Sequence, residues 1–302
     1  MQLSGRGVAM SFFASCIFTI VPAYVLLLAP LDGVQVFAQR VLWSLPAVFV
    51  LLMLVGRGPE LKANLQRLRR EPLLVVALFA AAALMGVQWF MFVWAPLTGH
   101  MLDLTLGYFL MPLVLVFAGR LFYNEHLRKR QRIAVFLAII GMLYELWRVG
   151  GLSWVTVVCA LGYPPYFMLR RWMSFDAFTG FFLEMLVMMP VAIYLIVSFA
   201  PPQAFIDSPQ LWYLLPGLGL LSTLAFAAML GASRLLPLGL LGILSYLEPV
   251  LLFLFSVFWI GETVESGQWV TYVPIWLAVT LVIFDSLRVL VKQSRRMNYP
   301  PL

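Results

Sequence analysis

The sequence predicts an all-α polytopic membrane protein: ten transmembrane helices forming two inverted five-helix repeats, with both termini in the cytoplasm. Three observations predict it. Of 302 residues, 63% are hydrophobic and 11% charged, at a mean hydropathy of +0.96, which is more apolar surface than a water-soluble core can hide. The basic residues fall in alternate loops. Finally, the second half of the chain repeats the spacing of the first.

Ten apolar runs lie at roughly 7–28, 33–55, 72–95, 101–120, 131–148, 152–169, 178–200, 211–232, 237–260 and 268–290, each near the ~20 residues that a bilayer core requires. The loops between them are read as short. The first run, Gly7 to Leu28, is long enough to span and lacks a small-residue cleavage site, so it is expected to stay as helix 1. With the N-terminus inside, all Lys and Arg except Arg40 and Arg148 fall on the cytoplasmic side, which sets both termini there. The net charge of +7 is therefore topology, not a footprint for nucleic acid. Cys16 and Cys159 each sit in an apolar run and are read as small buried residues, neither a disulfide nor a metal pair.

Pro112, Glu125 and Gln131 are spaced thirteen and six residues apart, and so are Pro249, Glu262 and Gln268. Pro22-x-Tyr24 recurs as Pro164-x-Tyr166. Arg40, six residues before Pro46, corresponds to Glu184, six before Pro190. These matches divide the chain into repeats at 1–150 and 151–302. Because five helices are an odd number, the copies enter the membrane from opposite sides. Inverted repeats of this kind recur in secondary transporters, which bind substrate near the midplane at the repeat interface.

The charged residues inside the apolar runs are the candidates for function. A carboxylate at a helix centre costs roughly 2.5 to 3.5 kcal/mol, so it normally faces a bundle interior or a water path. Glu248 is such an acid. Pro249 beside it cannot donate to the carbonyl of Ser245, so the helix should kink there and leave backbone polar groups available. Proton coupling is the functional reading of Glu248; a neutral acid bonded to those freed carbonyls is the structural one. Arg40 lies about seven residues into helix 2, or ~10 Å deep, and its planar fork suits a substrate carboxylate. An arginine that snorkels or pairs internally is the blander role. Glu184, at the equivalent depth from the inner side, is read as an acid for an amine or a proton, or as a structural partner of Arg40, Arg170 or Arg171.

The other polar candidates are weaker. His100 and Asp103, an i, i+3 pair at the outer end of helix 4, are read as a gate or proton relay, since two ligands do not make a metal site. Glu125 and Glu262 end their spans and are read as loop salt bridges or helix-end structure. Asp285 lies three residues before Arg288, a spacing that permits an ion pair. Trp147, Trp154, Trp172, Trp212 and Trp269 fall at span boundaries as interfacial anchors, whereas Trp89, Trp94, Tyr108, Tyr166 and Tyr246 lie deeper, where aromatics wall a cavity or simply pack. The run Ala80 to Gly86 lets helix 3 approach a neighbour closely. There is no Walker loop, no H-E-x-x-H and no paired-acid cluster, so the sequence carries no enzyme signature, no cofactor or metal motif and no nucleotide site to drive transport.

The blocks WFMFVWAPLTGHMLDLTLGYFLMPLVLVFAGRLFYNE, QRVLWS and TGFFLE, with the YLEP end of helix 9, resemble the RarD-like subgroup of the EamA family in the drug/metabolite transporter superfamily. The resemblance covers essentially the whole chain, and HMLDLTLGYF is its most specific part. It implies a central cavity lined by helices of both halves and export or exchange of small metabolites in a bacterial inner membrane. It also implies that Arg40 and Glu184 occupy positions that keep their charges, and that His100 belongs to the outer helix 4 motif. Family members often carry His where Gln39 stands here, and Asn where Met111 stands.

The expected function is secondary export of a small metabolite bearing carboxylate and amine groups, such as an amino acid or an opine-type metallophore, by alternating access. The binding or coupling residues would be Arg40, Glu184, Glu248, Trp94, Tyr108, Tyr246 and Tyr166. The expected partners are the metabolite, the lipid bilayer and protons, with the chain a monomer or homodimer. Efflux of cationic or apolar drugs is the alternative within transport; an embedded enzyme or lipid scramblase is the alternative outside it.

Overall fold

A computed structural model describes residues 4–98, 100–199, 204–255 and 267–298. Among them every regular element is a helix: α1 (Gly5–Leu26), α2 (Gly33–Leu54), α3 (Gly58–Arg70), α4 (Pro72–Leu97), α5 (Met101–Tyr123), α6 (Lys129–Val149), α7 (Trp154–Met173), α8 (Ala177–Phe199), α9 (Ala204–Asp207), α10 (Leu211–Leu235), α11 (Leu238–Ser245), α12 (Leu247–Phe255) and α13 (Gln268–Asn298). Seven of these, α1, α2, α4, α5, α8, α10 and α13, are long and apolar enough to cross a membrane. Of the other predicted spans, α6 and α7 are continuous helices that carry charge, α6 at both ends and α7 as Arg170 and Arg171 in its last turn.

The predicted span 237–260 is broken. Helix α11 stops at Ser245, the chain turns at Tyr246 and α12 restarts at Leu247. Pro249 thereby falls in the first turn of α12, where no intrahelical N–H is needed. Glu248 falls in the same turn, where an acid complements the positive end of the helix dipole. Glu262 lies outside the described residues.

The expectation of short loops fails between α2 and α4, where the chain forms α3. Its sequence GPELKANLQRLRR opens on a proline and an acid and closes on Arg67, Arg69 and Arg70, the charge order a helix dipole favours. Asn64 is its buried residue, and its Nδ2 donates to Thr179 Oγ1 at 2.8 Å.

The residues form two compact units, and each draws on both sequence halves: one comprises 1–19, 105–160 and 231–302, the other 20–104 and 161–230. In the first, α6 lies along α13, with α11 and α12 against α13. Thr271 Oγ1 donates to Glu145 Oε2 at 2.5 Å, and Arg148 donates to both oxygens of the same carboxylate. Glu125 accepts the N–H groups of Leu238 and Gly239, each at 2.7 Å, and so closes the start of α11, whose first donors have no intrahelical partner. Its helix-end role thus serves a helix far along the chain. The expected Asp285–Arg288 pair does not form. Asp285 faces Arg128 and Arg130 across α6 and α13, at 3.7 and 3.4 Å, while the guanidinium of Arg288 lies over the Phe284 ring at 4.2 Å.

In the second unit α2 packs along α8, both touch α4, and α3 rests on α4 and α8. Asp32 and Asp176 cap α2 and α8: the first accepts from Gln35 N–H, the second from Phe178 and Thr179 N–H. Ala81, Ala82 and Met85 of the small-residue run are buried, and Gly86 comes up against Met188 of α8, so α4 makes the close approach its sequence predicts. Phe79, Tyr194 and Val197 point outward, as do the five boundary tryptophans, which suits lipid and headgroup contact.

Candidate substrate-binding site

Arg40 is placed by the seam between α2 and α10. At Gly219 the two backbones come so close that an added Cβ would lie 2.4 Å from the carbonyl carbon of Trp43, so only glycine fits. Ser44 Oγ donates to the carbonyl of Gly219, and Thr223 Oγ1 returns a bond to that of Ser44, both at 3.4 Å. One turn along the same seam, Arg40 Nε donates to Ser222 Oγ at 2.8 Å. Arg40 is 3% exposed, and its guanidinium carbon lies 3.9 Å from the centre of the Trp89 ring, with Phe92 at 6.0 Å. A desolvated cation on an indole face gains about 2 kcal/mol or more. Trp89 is itself held edge-on by Phe226 and Phe181, with centroids at 4.9 and 6.0 Å. The cation is thus oriented by α4 and α10.

Glu184 and Tyr166 belong to a second cluster. Glu184 is fully buried; its Oε2 accepts from Tyr166 Oη at 3.0 Å and its Oε1 lies 3.4 Å from Arg170 Nη1. Arg170, also buried, donates from Nη2 to the carbonyls of Asp176 and Ala177. Glu184 therefore pairs with Arg170 rather than with Arg40. The arrangement needs Gly180, since any Cβ there would overlap Arg170 Nη1. From Asp176 the bonding continues through Thr179 Oγ1, which donates to Asp176 Oδ2, to Asn64 of α3. A polar chain thus ties α3, α7 and α8 together. Tyr163, against both Tyr166 and Phe226, carries the aromatic wall from this cluster to Trp89.

The third cluster ends α4. His100 Nδ1 and Asp103 Oδ2 are 2.9 Å apart, and the His100 ring stacks on Trp94 with centroids at 5.4 Å; Trp94 in turn stacks on Phe90. Both side chains of the pair are partly exposed.

Of the remaining predicted site residues, Tyr246, Glu248 and Tyr108 lie in the other unit. Tyr246 is buried at the break between α11 and α12, Glu248 is half-buried one residue after α12 begins, and Tyr108 is half-buried on α5. Ser222, and Trp89 as the platform for Arg40, were not singled out for these roles by the sequence, whereas Arg170 was one of the three partners it allowed for Glu184. No cluster of three or more His, Cys, Asp or Glu that could hold a metal occurs among the described residues.

Residues 151–284 match the EamA-like transporter family. The chain is 52% identical to the chloramphenicol-sensitive protein RarD of Pseudomonas aeruginosa over 297 residues, covering 98% of this chain and 99% of that one. It is 36% identical to an uncharacterized transporter of Haemophilus influenzae over 284 residues, covering 93% and 94%. A solved crystal structure, at 16% sequence identity, superposes with a TM-score of 0.65 over 94% of this chain and 98% of that one, a likeness of fold alone. The chain is a member of the EamA transporter family, in its RarD-like branch.

Proposed function

We propose that this protein is a secondary exporter of a small carboxylate-bearing metabolite in the bacterial inner membrane, and that Arg40 binds the carboxylate. Ten spans, with α6, α7 and the α11–α12 pair crossing as well, and cytoplasmic termini complete the reading. Its main support is the setting of Arg40: a buried guanidinium, fixed by Ser222 through Nε and by the Trp89 face, has its planar fork pre-oriented for a carboxylate. Among the described residues Glu184 is engaged by Arg170 and Tyr166, so the proton-coupling role falls to Glu248. His100 and Asp103 are the proposed gate or relay.

Alternating access does not require the sequence halves to be the moving bodies. Rocking 1–150 against 151–302 would pull apart α2 from α8 and α6 from α13, which are packed along each other inside the units. The mates within each unit are proposed to travel together.

The test compares metabolites inside and outside bacteria expressing the intact chain or its Arg40→Ala form. A carboxylate that leaves the cells only with the intact chain, at a rate at least ten-fold above that of the variant, is the expected outcome. Equal export by an inserted, folded Arg40→Ala protein removes Arg40 from the site. The name of the Pseudomonas aeruginosa relative gives weight to drug efflux as the second reading. A change in chloramphenicol susceptibility on expression, lost in Glu248→Gln and kept in Arg40→Ala, would favour it.

A further inference from the structure

Trp89 is 1% exposed, and its indole Nε1–H meets no acceptor among the described residues. Leaving such a donor dry costs a fold its full desolvation, so it is a feature to explain rather than a neutral detail. Ser222, fully buried, accepts from Arg40 Nε but donates its own hydroxyl proton to no described residue. Both groups belong to side chains in direct contact with the Arg40 guanidinium, one beneath its face and one at its Nε. They come from α4 and α10, whereas Arg40 comes from α2. Trp89 and Ser222, on two different helices, therefore each carry an unmet donor on a side chain that touches Arg40, and the ring neighbours of Trp89, Phe181 and Phe226, add no acceptor.

We propose that the Trp89 Nε1–H and the Ser222 O–H complete, with Arg40, a site built of donors that selects an acceptor-only oxyanion, the carboxylate of the cargo. The proposal rests on the reading of Arg40 given above and deepens it. A neutral amide presents N–H groups of its own to these donors and an ammonium presents only N–H groups, so both are rejected. The amine of the cargo is not recognised here, and acids with a blocked amine remain ligands. Trp89 becomes a specificity residue, acting through its N–H as well as through its ring.

The test uses purified full-length protein in detergent, with thermal stabilisation titrated against the twenty proteinogenic L-amino acids, their N-acetyl derivatives and their C-terminal amides. Trp89→Phe keeps a ring under Arg40 and deletes only the donor; Ser222→Ala deletes the hydroxyl within a helix that tolerates alanine. The expected result is stabilisation by acids and N-acetyl acids but not by amides, weakened at least ten-fold in each variant. Amides binding the wild type as well as acids do would overturn the proposal. So would a Trp89→Phe, Ser222→Ala double variant that binds acids as the wild type does while Arg40→Ala binds none, an outcome that leaves the Arg40 reading standing. Acid binding undiminished in Arg40→Ala instead removes the reading itself, and this proposal with it.

Discussion

Glu184 and Arg170 neutralise each other where water does not reach, and that makes the pair asymmetric to mutation. Removing one member of a buried ion pair leaves a charge without compensation, at a cost of roughly 3 to 5 kcal/mol, whereas replacing both with apolar groups is often neutral. Glu184→Ala should therefore lower the melting temperature in detergent sharply, and Arg170→Met with Glu184→Met should recover most of the loss. If the double variant melts like wild type yet does not export, Glu184 has a role in transport beyond holding α7 to α8. The sequence made Arg40 and Glu184 visible, because a charge in an apolar run is conspicuous. It allowed Arg40, Arg170 or Arg171 as the partner of Glu184, and two adjacent arginines at a helix end do not say which one turns inward. The one local hint is Gly180, one helical turn before Glu184 on the same face, which leaves a bare patch beside the acid. Ser222 was illegible for a different reason: a serine in a membrane helix is common, and only the backbone approach at Gly219 brings this one to Arg40.

Among the elements, α11 and α3 divide what could be read from what could not. The break before α12 follows from Pro249 alone, since a missing N–H is a property of the residue and needs no partner. The closure of α11 needs a distant one, Glu125, and no local pattern announces it. Replacing that carboxylate by Glu125→Ala should cost ~0.5 to 2 kcal/mol, the usual range for losing a helix cap, and Glu125→Gln should cost less because one acceptor remains. Melting curves of the two variants in detergent measure this; identical curves for wild type and Glu125→Ala would mean that water serves these donors equally well. Helix α3 was passed over because 38% of its 13 residues are basic or acidic and such a stretch reads as loop; yet Leu61, Asn64 and Leu68 share one face at helical spacing, and that face is the one that docks.

At the scale of the molecule, the sequence halves are not the structural halves. The expected repeat rests on spacing, and spacing proposes which helices are mates; it does not say that such helices pack on each other. Their pairing can be tested directly. The rings of Phe49 on α2 and Phe182 on α8 have centroids 5.7 Å apart, so cysteines at these positions can be joined by a short bifunctional thiol reagent. Cross-linked protein is expected to keep at least half of its export activity, because α2 and α8 move as one; complete loss on cross-linking, reversed by cleaving the link, would show that they slide. The interleaving of the halves has a further consequence for biogenesis. When the first 150 residues have emerged from the ribosome, α2 and α6 are in the bilayer without α8 and α13, the helices along which they pack. Neither unit can close until its last segment is synthesised, near residue 230 for one and beyond residue 267 for the other. During that interval the buried Arg40 has no Ser222 to hold it, so the membrane must shelter a half-built polar site, and this is when a cell's membrane quality control has its chance to act on the chain.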